Sequence, residues 1–286
     1  MVMNIDSNIS TTKDSKVFME AFAKAAGKEL DLKSVLDLNT DFVDAGESYL
    51  LVNVKEYNGR SPNNMLLLTD TDALLYSQDP PSLKEVKEFA PILAKPFGKS
   101  TALVMVTLSQ VLERHKEYLE ALMARMARVE EKFEHSEYRD LSVEFERLGD
   151  RLEEFHDLLI RLQERKYKQI QTVYVSFDYR VLIAESLSLQ SRARRRSTYL
   201  KDLRQDHEIM ATEDLNHRIV QLNEDVKRLT AITVILMLPN IIAGHFGMNF
   251  THMPELKEPW AYPAVIVFQL VLVAVGVLIF RKMKWL

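Results

Sequence analysis

The sequence contains no cysteine and little glycine or proline, 8 and 9 residues in a chain of 286. The absence of cysteine excludes disulfide bonds and thiolate-ligated metal sites. The formal net charge of −4 gives no support for nucleic acid as a partner. The first residues show no basic region followed by an apolar run, so we expect no cleaved signal peptide. The part of the chain before the first apolar run is therefore expected to stay in the cytoplasm.

Long apolar runs are concentrated at the C-terminal end, at Leu229–Phe246 and Ala261–Phe280. The second run has no charge and only one strongly polar side chain, Gln269. About twenty such residues form a helix ~30 Å long, enough to cross a membrane. The first run also contains Thr230, Thr233, Pro239, Asn240 and His245. Polar groups are unfavourable in lipid, so these should face protein or water. Hydropathy alone also allows a helical hairpin that merely anchors a soluble domain.

Residues 1–98 are predicted to form a small α/β domain. Short apolar and β-branched runs separated by turn residues predict strands at Tyr49–Tyr57, Met65–Thr69 and Ala73–Ser77. Helices are predicted at Ser15–Lys28 and Ser82–Ala90, the second with a capping box formed by Ser82 and Glu85.

The segment Gly98–Thr101 copies the end of a phosphate-binding loop. Leu93 stands where that loop needs its leading glycine, so we expect no nucleotide to bind.

Two series of apolar residues at alternating spacings of three and four follow, the first from Leu112 to Phe133 and the second from Leu141 to Leu162. This pattern predicts a coiled hairpin of two long helices with a turn at Glu134–Asp140. His115 falls on the seam and is interpreted as a core histidine. Between Val173 and Pro239 there is neither proline nor glycine, which allows one very long helix or two in series. The predicted domains are thus 1–98, a hairpin and stalk at 99–228, and a membrane domain at 229–286 with an external loop at 247–262.

A stripe of small, polar and apolar residues approaches and enters the first apolar run. It recurs every seven residues, and its members are Asn216, Asn223, Thr230, Met237 and Gly244, joined by Leu229, Thr233 and Asn240. Two helices cannot enclose a pore, whereas a ring of identical chains can, with this stripe facing the axis. Leu229 and Met237 would then form apolar constrictions that act as a gate.

The pentapeptide Phe246–Phe250 resembles the Y-G-M-N-F signature of CorA-type magnesium channels. The resemblance extends to Asn223-Glu224, Leu229-Thr230, Ile242-Ala243-Gly244, Met253-Pro254-Glu255-Leu256, Tyr262-Pro263 and Lys284-Trp285-Leu286. It implies a homopentameric funnel in the cell (inner) membrane that passively admits Mg²⁺. It also implies that cytoplasmic divalent ions hold the channel closed. Acidic candidates for such regulatory sites are Asp70, Asp72, Glu85, Glu88, Asp178 and Glu185. Two further acids, Glu255 and Glu258, are candidate site residues of the external loop.

The chemistry of Mg²⁺ suggests how a filter at Gly247, Met248 and Asn249 would work. Mg²⁺ loses its waters reluctantly, so a filter does better to accept hydrogen bonds from those waters. Five Asn249 side chains, with backbone carbonyls of Gly247 and Met248, would supply the acceptors. Glycine and asparagine are also common where a helix ends, and a structural cap at this place is compatible with the filter.

Three alternatives remain open. His245 and His252 near the filter could favour Co²⁺, Ni²⁺ or Zn²⁺. A membrane-anchored coiled-coil scaffold would conduct nothing. An enzyme is least favoured, because no nucleophile–base pair or metal-ligand cluster is found.

Basic residues beside both apolar runs place both termini in the cytoplasm; they are Lys227, Arg228, Arg281, Lys282 and Lys284.

Overall fold

The computed structural model describes residues 2–6, 8–27, 35, 40–57, 63–131, 135–248, 253–254 and 258–286. It divides into two compact units, Met1–Leu203 and Arg204–Leu286.

The first unit contains a mixed sheet of six strands. In chain order these are β1 (Val2–Asp6), β2 (Ile9–Thr12), β3 (Phe42–Ala45), β4 (Tyr49–Lys55), β5 (Asn63–Thr69) and β6 (Ala73–Tyr76). Their order across the sheet is β1-β2-β6-β5-β4-β3, and only the β2–β6 pair is parallel. The three strands predicted from sequence are confirmed as β4, β5 and β6. The first three strands were not predicted, because each has only four or five residues and β2 contains one aliphatic residue.

Helices cover both faces of this sheet. Helix α1 (Ser15–Ala26) is capped by Asp14 and packs Phe18 and Phe22 against side chains of β4, β5 and β6. The opposite face, which includes Leu50 and Leu66, packs in the core that α4 (Gly98–Glu131) shares. Burial on both faces explains why every residue of β4 is buried.

The helix predicted at Ser82–Ala90 is divided in two. Helix α2 (Leu83–Lys87) has the predicted capping box, with Ser82 and Glu85 bonded reciprocally. A separate short helix, α3 (Ala90–Leu93), contains Pro91 in its first turn. Proline is tolerated there because the first turn has no internal partner for its missing N–H.

The predicted hairpin is formed by α4 and α5 (His135–Glu164). Its seam is buried as the spacing predicted, from Leu112 to Val129 on α4 and from Leu141 to Leu162 on α5. The predicted turn at Glu134–Asp140 is wrong for most of its length, since α5 already begins at His135. Tyr138 is buried and continues the apolar seam, and Glu137 in the first turn favours a helix N-terminus.

Two further helices complete the described chain. Helix α6 (Ser176–Phe246) follows a 3₁₀ turn at Thr172–Val175 and is continuous over 71 residues, which excludes two helices in series. Helix α7 (Ala261–Lys282) contains no buried residue. Both helices include a segment long and apolar enough to cross a membrane.

His115 is confirmed as a core histidine. Its ring is fully buried and lies edge-on to Phe155, with the ring centroids 5.7 Å apart. Neither ring nitrogen has a hydrogen-bond partner among the described residues. Burial, and then the charge of Arg151, lowers the pKa of His115 to about 3. Burial raises the pKa of nearby Asp41 to about 7, against the lowering effect of the Lys55 N–H and Arg151.

These shifts predict an acid-labile contribution to stability. A depressed histidine pKa means that stability is present above the unfolded value of 6.5 and is lost as the pH falls. His115 alone should therefore lower the free energy of unfolding by about 2 kcal/mol as the pH falls from 7 to 5. Asp41 acts in the opposite direction, so the comparison must be made against His115→Leu. The Tm of His115→Leu minus the Tm of the wild type should rise by roughly 4–8 °C as the pH falls from 7 to 5. A constant difference, measured by circular dichroism of the full chain in detergent, would contradict the assignment.

Candidate functional site

The second unit is built on the contact between α6 and α7. Ala231 and Ile235 are the two residues of α6 that are buried within this unit. A Cβ added at Gly276 of α7 would lie 3.2 Å from Ile235 Cγ1, so Gly276 allows the close approach. Gln269, the one strongly polar side chain of the second run, donates a hydrogen bond to the Pro239 carbonyl at 3.4 Å. The side-chain amide of Gln269 thus has a hydrogen-bond partner within the protein and does not need water.

The predicted pore stripe is exposed along α6. Its members in this unit are Asn216, Asn223, Leu229, Thr230, Thr233, Met237, Asn240 and Gly244. At about 100° per residue, the positions from Leu229 to Gly244 lie roughly opposite the face of Ala231 and Ile235. A Cβ added at Gly244 would meet no described atom within 4 Å outside its own helix backbone. Among the described residues, the packing of α7 on α6 therefore leaves this stripe uncovered.

The threonine hydroxyls of the stripe are satisfied within the helix. Thr230 donates to the Val226 carbonyl at 2.7 Å, and Thr233 donates to the Leu229 carbonyl at 2.8 Å. Because the proton points back to the helix, each oxygen presents its lone pairs outward. Such oxygens can accept hydrogen bonds from water.

The signature segment begins where α6 ends. The Gly247 N–H donates to the Ala243 carbonyl at 2.9 Å, and the Met248 N–H donates to the His245 carbonyl at 3.3 Å. A Cβ at Gly247 would lie 3.2 Å from the Ala243 oxygen, which favours glycine at this position. Gly247 therefore serves as a helix cap. Asn249 lies outside the described residues.

An apolar cavity of about 740 Å³ lies between the end of α6 and the start of α7. Its lining includes His245, Phe246, Glu258, Trp260 and Phe268. His245 thus faces the cavity rather than the stripe. Sequence reasoning gave no indication of this cavity, because it depends on how the two helices pack. Glu258 belongs to its lining, whereas Glu255 lies outside the described residues.

The six acidic regulatory candidates are not brought together within the chain. Asp70 pairs with Lys168 at 2.5 Å, and Asp72 accepts from Thr71 at 2.6 Å. Hydrogen bonds from Ser82 lower the pKa of Glu85, which serves the capping box. Glu88, Asp178 and Glu185 are exposed. No group of three or more potential metal ligands occurs among the described residues.

Comparisons with known proteins agree on one family. A family model described as "CorA-like Mg2+ transporter protein" matches residues 43–282. The chain is 47% identical to the cobalt/magnesium transport protein CorA of Thermotoga maritima over 64 residues, 22% of this chain and 18% of the relative. It is 33% identical to the magnesium transport protein CorA of Escherichia coli K12 over 67 residues, 23% of this chain and 21% of the relative. The matched segment thus spans about a fifth of each relative.

Solved structures support the fold. The full-length CmaX protein matches with a TM-score of 0.56 at 14% identity, covering 99% of this chain and 91% of that one. The soluble domain of CorA from Methanocaldococcus jannaschii matches with a TM-score of 0.50 at 14% identity, covering 69% of this chain and 86% of that one. The family match extends over most of the sequence. The chain therefore belongs to the CorA-like Mg²⁺ transporter family.

Proposed function

We propose that this protein is a passive divalent-cation channel in the cell (inner) membrane that admits chiefly Mg²⁺. A double charge moving across 100 mV gains about 4.6 kcal/mol, twice the value for a single charge, so no nucleotide hydrolysis is required. The names of the relatives, which transport magnesium or cobalt and magnesium, support this substrate class.

The observation that carries the proposal is the exposed stripe of α6. Thr230, Thr233, Asn240 and Gly244 lie on a face that the chain's own helix packing does not use. Polar residues within a membrane span are unfavourable against lipid. A homopentamer with this face on its axis gives them an aqueous path, alternating with apolar rings of Leu229 and Met237.

Selection is proposed to occur beyond the end of α6, at Gly247, Met248 and Asn249. A ring of Asn249 amide oxygens would accept hydrogen bonds from the waters that Mg²⁺ retains. The cap geometry at Gly247 is compatible with this role, because it ends the helix immediately before the amide ring.

Transport of Co²⁺ or Ni²⁺ is the second candidate, since one relative is named for cobalt and magnesium. A preference for these ions would be expected if His245 lay on the pore stripe. Its place in the lining of the apolar cavity gives no such support for Co²⁺ or Ni²⁺.

Uptake by proteoliposomes tests the ion preference. Vesicles containing the purified chain should accumulate Mg²⁺ faster than Zn²⁺, with Co²⁺ and Ni²⁺ also admitted. A membrane-anchored scaffold would move none of these ions. Faster entry of Zn²⁺ than of Mg²⁺ would contradict the magnesium assignment.

Feedback by cytoplasmic divalent ions is proposed to act between subunits rather than within one. The exposed carboxylates Glu88, Asp178 and Glu185 are available to a neighbouring chain. Like charges held close together repel one another, so a bridging cation would stabilise the closed ring.

The topology gives a separate prediction. Both termini should lie in the cytoplasm, and the segment after Met248 should lie outside. A cysteine introduced by Thr251→Cys should react with an impermeant thiol reagent added to intact cells, whereas Ser7→Cys should not. The chain has no native cysteine, so label found on the protein after purification reports the introduced residue alone. Labelling in the opposite pattern would overturn this orientation.

A further inference from the structure

A polar cavity of about 510 Å³ lies in the first unit, where β4 ends, β5 begins and β6 ends. Its sheet side is formed by Glu56, Asn64 and Ser77. Helix α4 and the loop after β6 supply the other walls, through Gln78, Asp79, Arg114, Glu117, Tyr118 and Ala121. The volume falls within the range of small-molecule sites, about 300–1,000 Å³. The proposed transport function uses none of these residues.

Glu56 is the buried centre of this cavity, with a side chain only 3% exposed. Its Oε1 accepts hydrogen bonds from Arg114 Nη1 and from Asn64 Nδ2, the latter at 2.7 Å. Its Oε2 has no hydrogen-bond partner among the residues that the structure describes. Glu56 lines the cavity, so this oxygen can accept a hydrogen bond from a donor that enters it.

The charge of the lining is negative. Arg114 is the single cation, and its Nη2 also pairs with Asp79 at 2.6 Å. Partial burial acts to lower the pKa of Arg114, but Glu56, Asp79 and Glu117 together raise it. The guanidinium pairs with Glu56 and Asp79 and is also close enough to feel the charge of Glu117. The lining therefore has a formal excess of two negative charges.

The arrangement does not suit a single metal ion. Mg²⁺ needs oxygen ligands gathered at roughly 2.0–2.1 Å, and no described group of three or more acids or histidines is close enough. Tyr118 directs its hydroxyl to Glu144 at 2.6 Å, so its ring and the methyl group of Ala121 are left as apolar wall. Several negative charges beside an apolar wall match positive groups joined by methylenes.

We propose that this cavity binds a linear organic cation, a diamine or polyamine. One ammonium group donates to Glu56 Oε2, deep in the cavity. A second ammonium group lies at the rim between Asp79 and Glu117, and the methylene chain packs against Tyr118 and Ala121.

Calorimetric titration of the full chain in detergent with spermidine tests this site. The exposed carboxylates allow a test that spares the fold, because Asp79 and Glu117 lie at the surface. The double variant Asp79→Asn, Glu117→Gln should weaken spermidine binding about fivefold or more, as expected for the loss of two exposed ion pairs. The control Glu120→Gln removes one carboxylate charge from an exposed position of α4 outside the cavity lining, and should bind as the wild type does.

Competition with Mg²⁺ supplies the second arm. If the site recognises spaced ammonium groups, Mg²⁺ at the same concentration should displace little spermidine. Three outcomes would overturn the proposal: no spermidine binding, equal weakening by Glu120→Gln, or loss of spermidine binding when an equal concentration of Mg²⁺ is present. Circular dichroism of each variant should match the wild type, which separates loss of the ligand from loss of the fold.

Discussion

Replacing Asn249 with alanine should lower Mg²⁺ uptake by at least about tenfold, although the protein should still insert and assemble. In a homopentamer this one change removes five amide oxygens from the mouth of the pore. A hydrogen bond to a charged partner contributes about 1.5–3 kcal/mol, and about 1.4 kcal/mol corresponds to a tenfold change. The waters of Mg²⁺ are polarised by the ion, so losing their acceptors weakens ion capture directly.

Two further variants separate the filter from its surroundings. Asn249→Asp keeps the acceptors and adds charge, so it should bind cations more tightly and release them more slowly. His245→Ala should leave Mg²⁺ uptake largely intact, because His245 lines the apolar cavity instead of the stripe. Normal Mg²⁺ uptake by a well-folded Asn249→Ala protein would remove the basis for the filter.

Gly244→Phe should block most Mg²⁺ transport while leaving the fold of the isolated chain undisturbed. An added Cβ at Gly244 meets no described atom within 4 Å outside its own helix backbone, so the first carbon of the larger side chain has room. Replacing glycine inside a helix also favours helix formation, by up to about 1 kcal/mol for the best helix formers. Five phenyl rings around a narrow axis would nevertheless block a pore. The expected result is a stable, membrane-inserted protein with uptake reduced by about tenfold or more.

A matched control for this variant is Leu270→Phe. Leu270 is 64% exposed on α7, so the substitution adds a ring of the same kind to a membrane span away from the stripe. It should leave uptake near the wild-type rate. Equal loss of uptake in both variants would mean that the stripe has no special role.

The sequence predicted those elements whose residues signal their structure locally. The seam from Leu141 to Leu162 repeats every three or four residues and is buried as expected. The apolar runs of β4 and β5 are likewise visible in the local sequence, so both strands were predicted. The strand β2 has only one aliphatic residue, Ile9, and exists because it pairs in parallel with β6. Such pairing between distant segments leaves no local pattern.

The candidate site was also predicted only in part. The recurrence of Thr230, Met237 and Gly244 predicted one helix face, and the structure leaves that face exposed. The apolar cavity beside His245 and the polar cavity around Glu56 were not predicted. Glu56 and Arg114 are 58 positions apart and meet only because α4 packs on the sheet. The position of Asn249 relative to the stripe stays a prediction.

The central claim is that the chain conducts Mg²⁺ along the membrane potential without another energy source. Liposomes that contain the purified protein and a fluorescent Mg²⁺ indicator test this claim directly. A potassium gradient with valinomycin gives them an inside-negative potential. We predict that Mg²⁺ enters without nucleotide and that the rate of uptake rises with the imposed potential. When the potential is reversed, the direction of net Mg²⁺ flow should reverse as well. An absence of uptake, or uptake that ignores the potential, would contradict the account.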